Sequence, residues 1–288
     1  MYRFLKSLLV ALFCSWFGLS PFVTFAQDLS HTSSTGKFEV GFRPEAILED
    51  RDIFEIGNMT LASLQRFLSS KGTLGTYRTN DIDGIEKPAS EIIWRVAGSY
   101  RINPRYLLAL MQKEQSLVDD PHPTKKQFDW ATGYGICDAC SKDDPSLQEF
   151  KGFASQLEWA AKQHREKYLI QILGRGKTIA GYSPGKLAMI DHVPIVPVNN
   201  ATAMLYSYTP HIHGNLNLWR IWQRWFSTPF PDGTTVKAED SGKIYVIRFG
   251  EKRPYANLRV ALSMVDAGKM VVTQERHLFN YPNGEAIR

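Results

Sequence analysis

INPRYLLALMQKEQSLVDD, residues 102–120, is strongly apolar and helix-like, yet it carries a glutamate where a leucine would be expected. Asn103 followed by Pro104 is a helix-start signal: an Asn side chain caps free backbone N–H groups, and Pro suits the first helical position. A helix is therefore expected from Pro104. At roughly 100° per residue, Leu107, Leu108, Leu110, Met111 and Val118 share one arc, with Arg105, Gln112, Lys113 and Ser116 opposite. Glu114 falls near the middle of the apolar arc. A carboxylate facing low dielectric is disfavoured in its charged form, which makes Glu114 a candidate general acid. The alternative is a buried glutamate paired with a lysine or arginine, or one that reaches back to solvent.

Working outward, Thr60 is expected to cap a helix with Leu61, Leu64, Phe67 and Leu68 on one face, ending at Gly72. Pro88 opens a second helix with Ile92, Ile93, Val96 and Tyr100 inward. Beyond residue 120 comes a loop containing DWATGYGICDAC (129–140), in which Gly133 and Gly135 permit backbone shapes and close ligand approach that side chains would block. Another helix is expected from about Gly152 to Tyr168, carrying Phe153, Leu157, Ala160, Ala161 and His164 at helical spacing. Residues 170–199 turn Gly- and Pro-rich, an irregular excursion or a hairpin. Residues 201–208 and 215–226 read as helices. Trp219, Trp222 and Phe226 form a stripe with Trp225 beside it; helical spacing favours core over a sugar-stacking platform. From Pro229 the period changes. TTVKA, KIYVIRF and KMVVTQ read as short strands, FGEKR as a hairpin turn and VALSMVDAG as a brief helix.

The first residues look like an export signal: Arg3 and Lys6, an apolar run from Leu8 to Leu19, then Thr24-Phe25-Ala26 with small residues at the cleavage positions. Cleavage after Ala26 is expected, with an uncleaved N-terminal anchor as the alternative. Phe13 is bulky where lipid attachment at Cys14 would want a small residue. The formal charge is +5, and removing Arg3 and Lys6 with the signal leaves +3. That mild, scattered basicity suits contact with an acidic polymer such as cell wall and provides no nucleic-acid stripe. The expected organisation is signal 1–26, flexible leader 27–44, a main domain 45–228 and a small β-rich module 230–288. The location is then secreted or cell envelope; oligomeric state is not encoded legibly.

With Cys14 gone, Cys137 and Cys140 remain, and in an exported protein they most simply form a local disulfide. GRGKT (174–178) lacks the earlier glycine of a phosphate-binding loop. His192, His211 and His213 are loop histidines without an acidic partner at ligand spacing, so no metal site is expected.

The residues INPRYLLALMQKEQSLV, ATGYGICD (131–138) and Leu205-Tyr206-Ser207-Tyr208 resemble the lysozyme-like superfamily of peptidoglycan-cleaving enzymes, closest to lytic transglycosylases. The chain departs from that pattern by the extra Gln115, by a loop without the usual G-L-M-Q ending and by Ser207 in place of Asn. In combination, MTLASLQRFLSSKG, KEQSLV, ATGYG, KGF and ATAMLYSYTP are similar to exported bacterial proteins labelled cell-wall hydrolases or haemagglutinins, over about residues 55–227. The resemblance implies a mainly α, lysozyme-like (α+β) domain, with the tail from FPDGT similar to modules appended to bacterial surface proteins. It implies Glu114 as catalytic residue, with Gln115, Ser116, Thr132, Tyr134, Asp138, Tyr206 and Tyr208 against the substrate. The partner would be peptidoglycan glycan strands, and no cofactor is implied.

A single buried Glu can run a transglycosylation, as acid on the glycosidic oxygen and then as base on the muramate C6 hydroxyl. Hydrolysis would instead need a second carboxylate, Asp129 or Asp138, across the cleft. A third reading is a wall-binding adhesin on the same scaffold.

Overall fold

The computed structural model describes residues 39, 41–57, 59–136, 144–228, 230–273, 275–278 and 280–288. The signal segment, Cys137, Asp138 and Cys140 lie outside the described residues.

Helices dominate up to residue 225. The first are α1 (Asp50–Phe54) and α2 (Leu61–Ser69), the latter capped by Thr60, whose side chain accepts from the Ser63 amide as the sequence suggests. A two-stranded antiparallel hairpin, β1 (Arg78–Asn80) and β2 (Glu86–Pro88), follows, which the apolar pattern did not signal. Pro88 is the N-cap of α3 (Ala89–Tyr100). Next come α4 (Pro104–Gln115) and the short α5 (Lys125–Asp129). The helix expected from Gly152 is longer than its apolar spacing implies: α6 (Phe153–Lys162) continues through a π-helical segment, Gln163–Leu169, into α7 (Ile170–Arg175). The irregular excursion shrinks accordingly, and within it lies an antiparallel hairpin, β3 (Ala188–Ile190) and β4 (Val193–Ile195). The helical part closes with α8 (Asn200–Tyr208) and α9 (Ile212–Trp225).

The central element is α4, packed against α1, α3 and α9. Asn103 caps it as expected, accepting from the Arg105 amide. Its amphipathic reading needs correction, because Gln112 is buried and the Lys113 side chain is only 6% exposed. Over residues 106–112 the helix is covered on all sides and has no solvent face, so a polar residue there must find a partner inside. Gln112 does so by donating to Asp119 and accepting from the Val118 amide at 3.0 Å. The helix also stops earlier than the arc assumed: Ser116 adopts the left-handed conformation (φ 53°) as its C-cap, so Val118 belongs to the following turn.

The leader boundary moves as well. Phe42 is buried edge-on against Trp219, and the Pro44 carbonyl accepts from Tyr206 at 2.8 Å, so the packed chain begins before residue 45.

After residue 228 comes a four-stranded sheet in the order β7-β6-β5-β8: β5 (Thr235–Ala238), β6 (Ile244–Arg248), β7 (Glu251–Pro254) and β8 (Val271–Thr273). The β5–β6 register pairs Val236 with Tyr245, and β8 joins β5 in parallel after α10 (Leu258–Met264). The turn expected at FGEKR is confined to Phe249-Gly250, and the rest of that stretch forms β7. The module has its own small core, including Val236, Tyr245, Ile247 and Leu278. It is tied to α9 by Asn280, which donates to the Gln223 and Ser227 carbonyls.

Candidate active site

The C-terminal end of α4 carries Lys113 and Glu114. Glu114 is 23% exposed at its side chain. Lys113 Nζ donates to Glu114 Oε1 at 2.5 Å and also to the Thr209 hydroxyl, and it lies 6.0 Å from the Tyr208 ring centre. An ammonium can only donate, so Oε1 is an acceptor here. The cation that the sequence left open as a partner for Glu114 is thus its own neighbour. Thr209 can approach because α9 has Gly214 at the contact: a Cβ there would lie 2.6 Å from Thr209 Cγ2.

The loop 131–136 borders the other carboxylate oxygen. Gly133 has φ +68°, a conformation side chains resist, and a Cβ on it would stand 3.1 Å from Glu114 Oε2. This loop is held from behind by Gln156, a fully buried glutamine on α6. Its Oε1 accepts from the Thr132 and Tyr134 amides at 3.2 and 3.0 Å, while its Nε2 donates to the Tyr134 and Phe150 carbonyls. Sequence reasoning passed over Gln156, although a glutamine between Phe153 and Leu157 is the same signal that drew attention to Glu114.

Beneath the carboxylate lies a row of rings, the fully buried Tyr106 and His164 and the half-buried Tyr208. His164 Nδ1 sits 2.8 Å from the Ala160 carbonyl, which can only accept, so Nδ1 carries the proton and Nε2 accepts from the Tyr106 hydroxyl at 2.7 Å. Burial pushes the His164 pKa down to about 4, so the ring is neutral at physiological pH. Burial raises the phenols of Tyr106 and Tyr208, and the Glu114 charge raises both further. Tyr208 also donates to the Thr132 carbonyl at 2.9 Å, joining α8 to the loop.

Of the residues expected against the substrate, the structure gathers Glu114, Tyr208 and the loop of Thr132 and Tyr134. Thr132 itself is fully buried with its hydroxyl on Gln156, so it braces the loop rather than facing a ligand. Tyr134 is half-buried and stacks on Trp159 at 5.8 Å. Gln115 is half-buried, and its carbonyl accepts from Gln127. Ser116 is exposed at the helix end. Tyr206 is not brought to the site: it is fully buried, with its hydroxyl bound to Pro44 on the far side of α8. On one helix, positions 206 and 208 diverge by about 200°, so both cannot face one ligand. Asp129 has each oxygen 2.6 Å from Lys125 and is 17% exposed, the arrangement of an anchored carboxylate.

Among the described residues no group of three His, Cys, Asp or Glu side chains is arranged to hold a metal ion. His211, the N-cap of α9, does have an acidic partner that sequence spacing concealed, Asp191 of the β3–β4 turn, at 2.8 Å. The His211 contact, together with the Ile212 amide, draws the Asp191 carboxyl below its ordinary range.

Neither a curated protein nor a solved structure matches the chain. The lysozyme-like reading of residues 102–120 therefore stands as a resemblance. Over residues 46–178, a little under half of its length and a segment that holds Glu114, Gly133 and Gln156, the chain is similar to the family whose model is described as LasA, N-terminal domain.

Proposed function

We propose that this chain is an exported peptidoglycan lytic transglycosylase in which Glu114 is the sole acid and base. The observation that carries the reading is the asymmetry of the Glu114 carboxylate: Oε1 is held by Lys113, while Oε2 lies beside the Gly133 backbone on a side chain that still reaches solvent. Oε2 is the oxygen available to a substrate. As an acid, Glu114 gives its proton to the oxygen linking N-acetylmuramate to N-acetylglucosamine, and the C1–O bond breaks with its electron pair leaving on that oxygen. As a carboxylate it then takes the proton from the muramate C6 hydroxyl, whose oxygen bonds to C1. The product is a 1,6-anhydro ring, formed without water. Lys113 and Thr209 fix the carboxylate, and Gln156 fixes the loop that borders it. The hydrolytic alternative needs a second free carboxylate; Asp129, bound through both oxygens to Lys125, is poorly suited to that task, and Asp138, the other candidate, lies outside the described residues.

One observation favours a second reading. A glutamate paired with a nearly buried lysine can also be a purely structural tie, as in a non-catalytic wall-binding protein on this scaffold. Digestion of purified peptidoglycan followed by mass spectrometry of the soluble fragments separates the possibilities. Anhydro-muramate ends are expected. Reducing ends would establish hydrolysis, and pelleting with intact walls without released fragments would establish binding alone.

A further inference from the structure

At the opposite end of α4 lies a cleft of about 790 Å3 that the proposed reaction does not use. Its walls come from α1, the start of α4, the last turns of α9 and the C-terminal module, and Glu114 is not part of its lining. At 1.5 Å per residue, Asn103 and Glu114 are separated by roughly 16 Å along the helix. The volume falls within the several hundred Å3 usual for small-ligand sites.

Asn103 is among the residues that line the cleft. Its Oδ1 accepts from the Arg105 amide, but its Nδ2, on a side chain with no solvent exposure, has no hydrogen-bond partner among the described residues. A buried donor of this kind calls for an acceptor on whatever enters. The cleft is also lined by four carboxylates, Glu49, Asp52, Glu55 and Asp232, against two arginines, Arg51 and Arg105. This excess of negative charge opposes an anionic ligand. A simple cation would suit the carboxylates but leave Asn103 Nδ2 unpaired, because an ammonium has no acceptor. Two half-buried rings, Trp219 on α9 and Phe230 on the module, add apolar faces to the same walls. Phe230 is steadied by stacking on Tyr281, and Trp219 by its edge contact with Phe42.

We infer that this cleft is a binding site for a neutral saccharide, distinct from the Glu114 site. Sugar hydroxyls donate to the carboxylates, a hydroxyl or acetamido oxygen accepts from Asn103, and the C–H faces of the rings lie on Trp219 and Phe230. Within the aromatic stripe, Trp222 and Phe226 are buried and also border the cleft, Trp225 is buried outside its lining, and Trp219 is half-buried at the cleft wall. The inference rests on no step of the proposed reaction.

The test is calorimetric titration of the full chain carrying Glu114→Gln, which prevents turnover, with the neutral trisaccharide of N-acetylglucosamine. Binding is expected, and Trp219→Ala and Glu55→Gln should each weaken it at least tenfold. Tyr134→Ala, on the Glu114 side, should leave that same binding event in place. Glu55 is exposed, so its variant decides the matter even if Trp219→Ala fails to fold. Saccharide binding indifferent to both residues would overturn the inference. So would trialanine titrating with the same dependence in place of the sugar, which would reassign the cleft to a peptide. A wild-type protein that cuts no glycan yet keeps Trp219-dependent binding would defeat the transglycosylase reading and leave the cleft standing.

Discussion

Two carboxylates in this molecule, Asp81 and Glu114, each touch a lysine, and their surroundings lead to opposite roles. The Asp81 side chain is fully buried at the β1–β2 hairpin. It accepts from Arg95 through both oxygens at 2.7 Å, from Lys87 at 2.9 Å and from the Ile82 amide. Arg95 continues to Glu158 on α6, so the cluster pins the hairpin to two helices. Burial alone would raise the Asp81 carboxyl, but the Arg95 and Lys87 contacts outweigh it and hold it at about 2. Every acceptor direction of Asp81 is filled, whereas Glu114 has one oxygen held and the other beside a glycine, with solvent in reach. A saturated carboxylate builds structure; a half-saturated one at a surface can meet a ligand.

The sharpest way to break this contrast is to neutralise each carboxylate in turn. Glu114→Gln keeps the shape and an acceptor for Lys113 but cannot deliver a proton. Glycan cleavage should fall about a thousandfold or more, with the urea midpoint close to wild type. Cleavage above a tenth of wild type would move the acid elsewhere. Asp81→Asn should do the reverse, costing about 3 kcal/mol by leaving Arg95 and Lys87 without their shared partner. Turnover per folded molecule should stay near wild type. A comparable loss of stability in both variants would erase the distinction between them.

Acid titration sharpens it further. The His164 pKa is about 4 in the fold against about 6.5 in an unfolded chain, so the unfolded state binds more protons between those values. Stability should therefore decline as pH falls from about 6.5 to about 4, by about 3 kcal/mol in all. Asp81 acts lower: its contribution is complete above about 4 and disappears as pH falls through about 2. Equilibrium unfolding at several pH values should show both windows in the wild type and only the upper one in Asp81→Asn. A flat profile between pH 4 and 6.5 would mean that His164 is not held neutral. The smallest effect is expected from Tyr206→Phe, which leaves the Pro44 carbonyl without its donor and should cost about 1–2 kcal/mol with cleavage unchanged. A drop in cleavage with stability intact would return Tyr206 to the substrate.

The sequence by itself determined the helix at Pro104, its Asn103 cap, the Thr60 cap, the late change of period to strands and the anomaly of Glu114. All of these are local: a cap is read from adjacent residues, and periodicity from one segment. The β1–β2 hairpin escaped notice because its strands are three residues each and are held largely by Asp81 and Arg95, fourteen positions apart. Tertiary structure alone decided that Lys113 points inward, since the helix it belongs to is enclosed by neighbours from distant parts of the chain. It decided that Tyr208 joins the Glu114 site and Tyr206 the core, because which side of α8 faces α4 is a matter of packing rather than of composition. And it brought Asn103, Trp219 and Phe230 to one cleft, over a sequence separation that no spacing rule within a single helix or strand can reach.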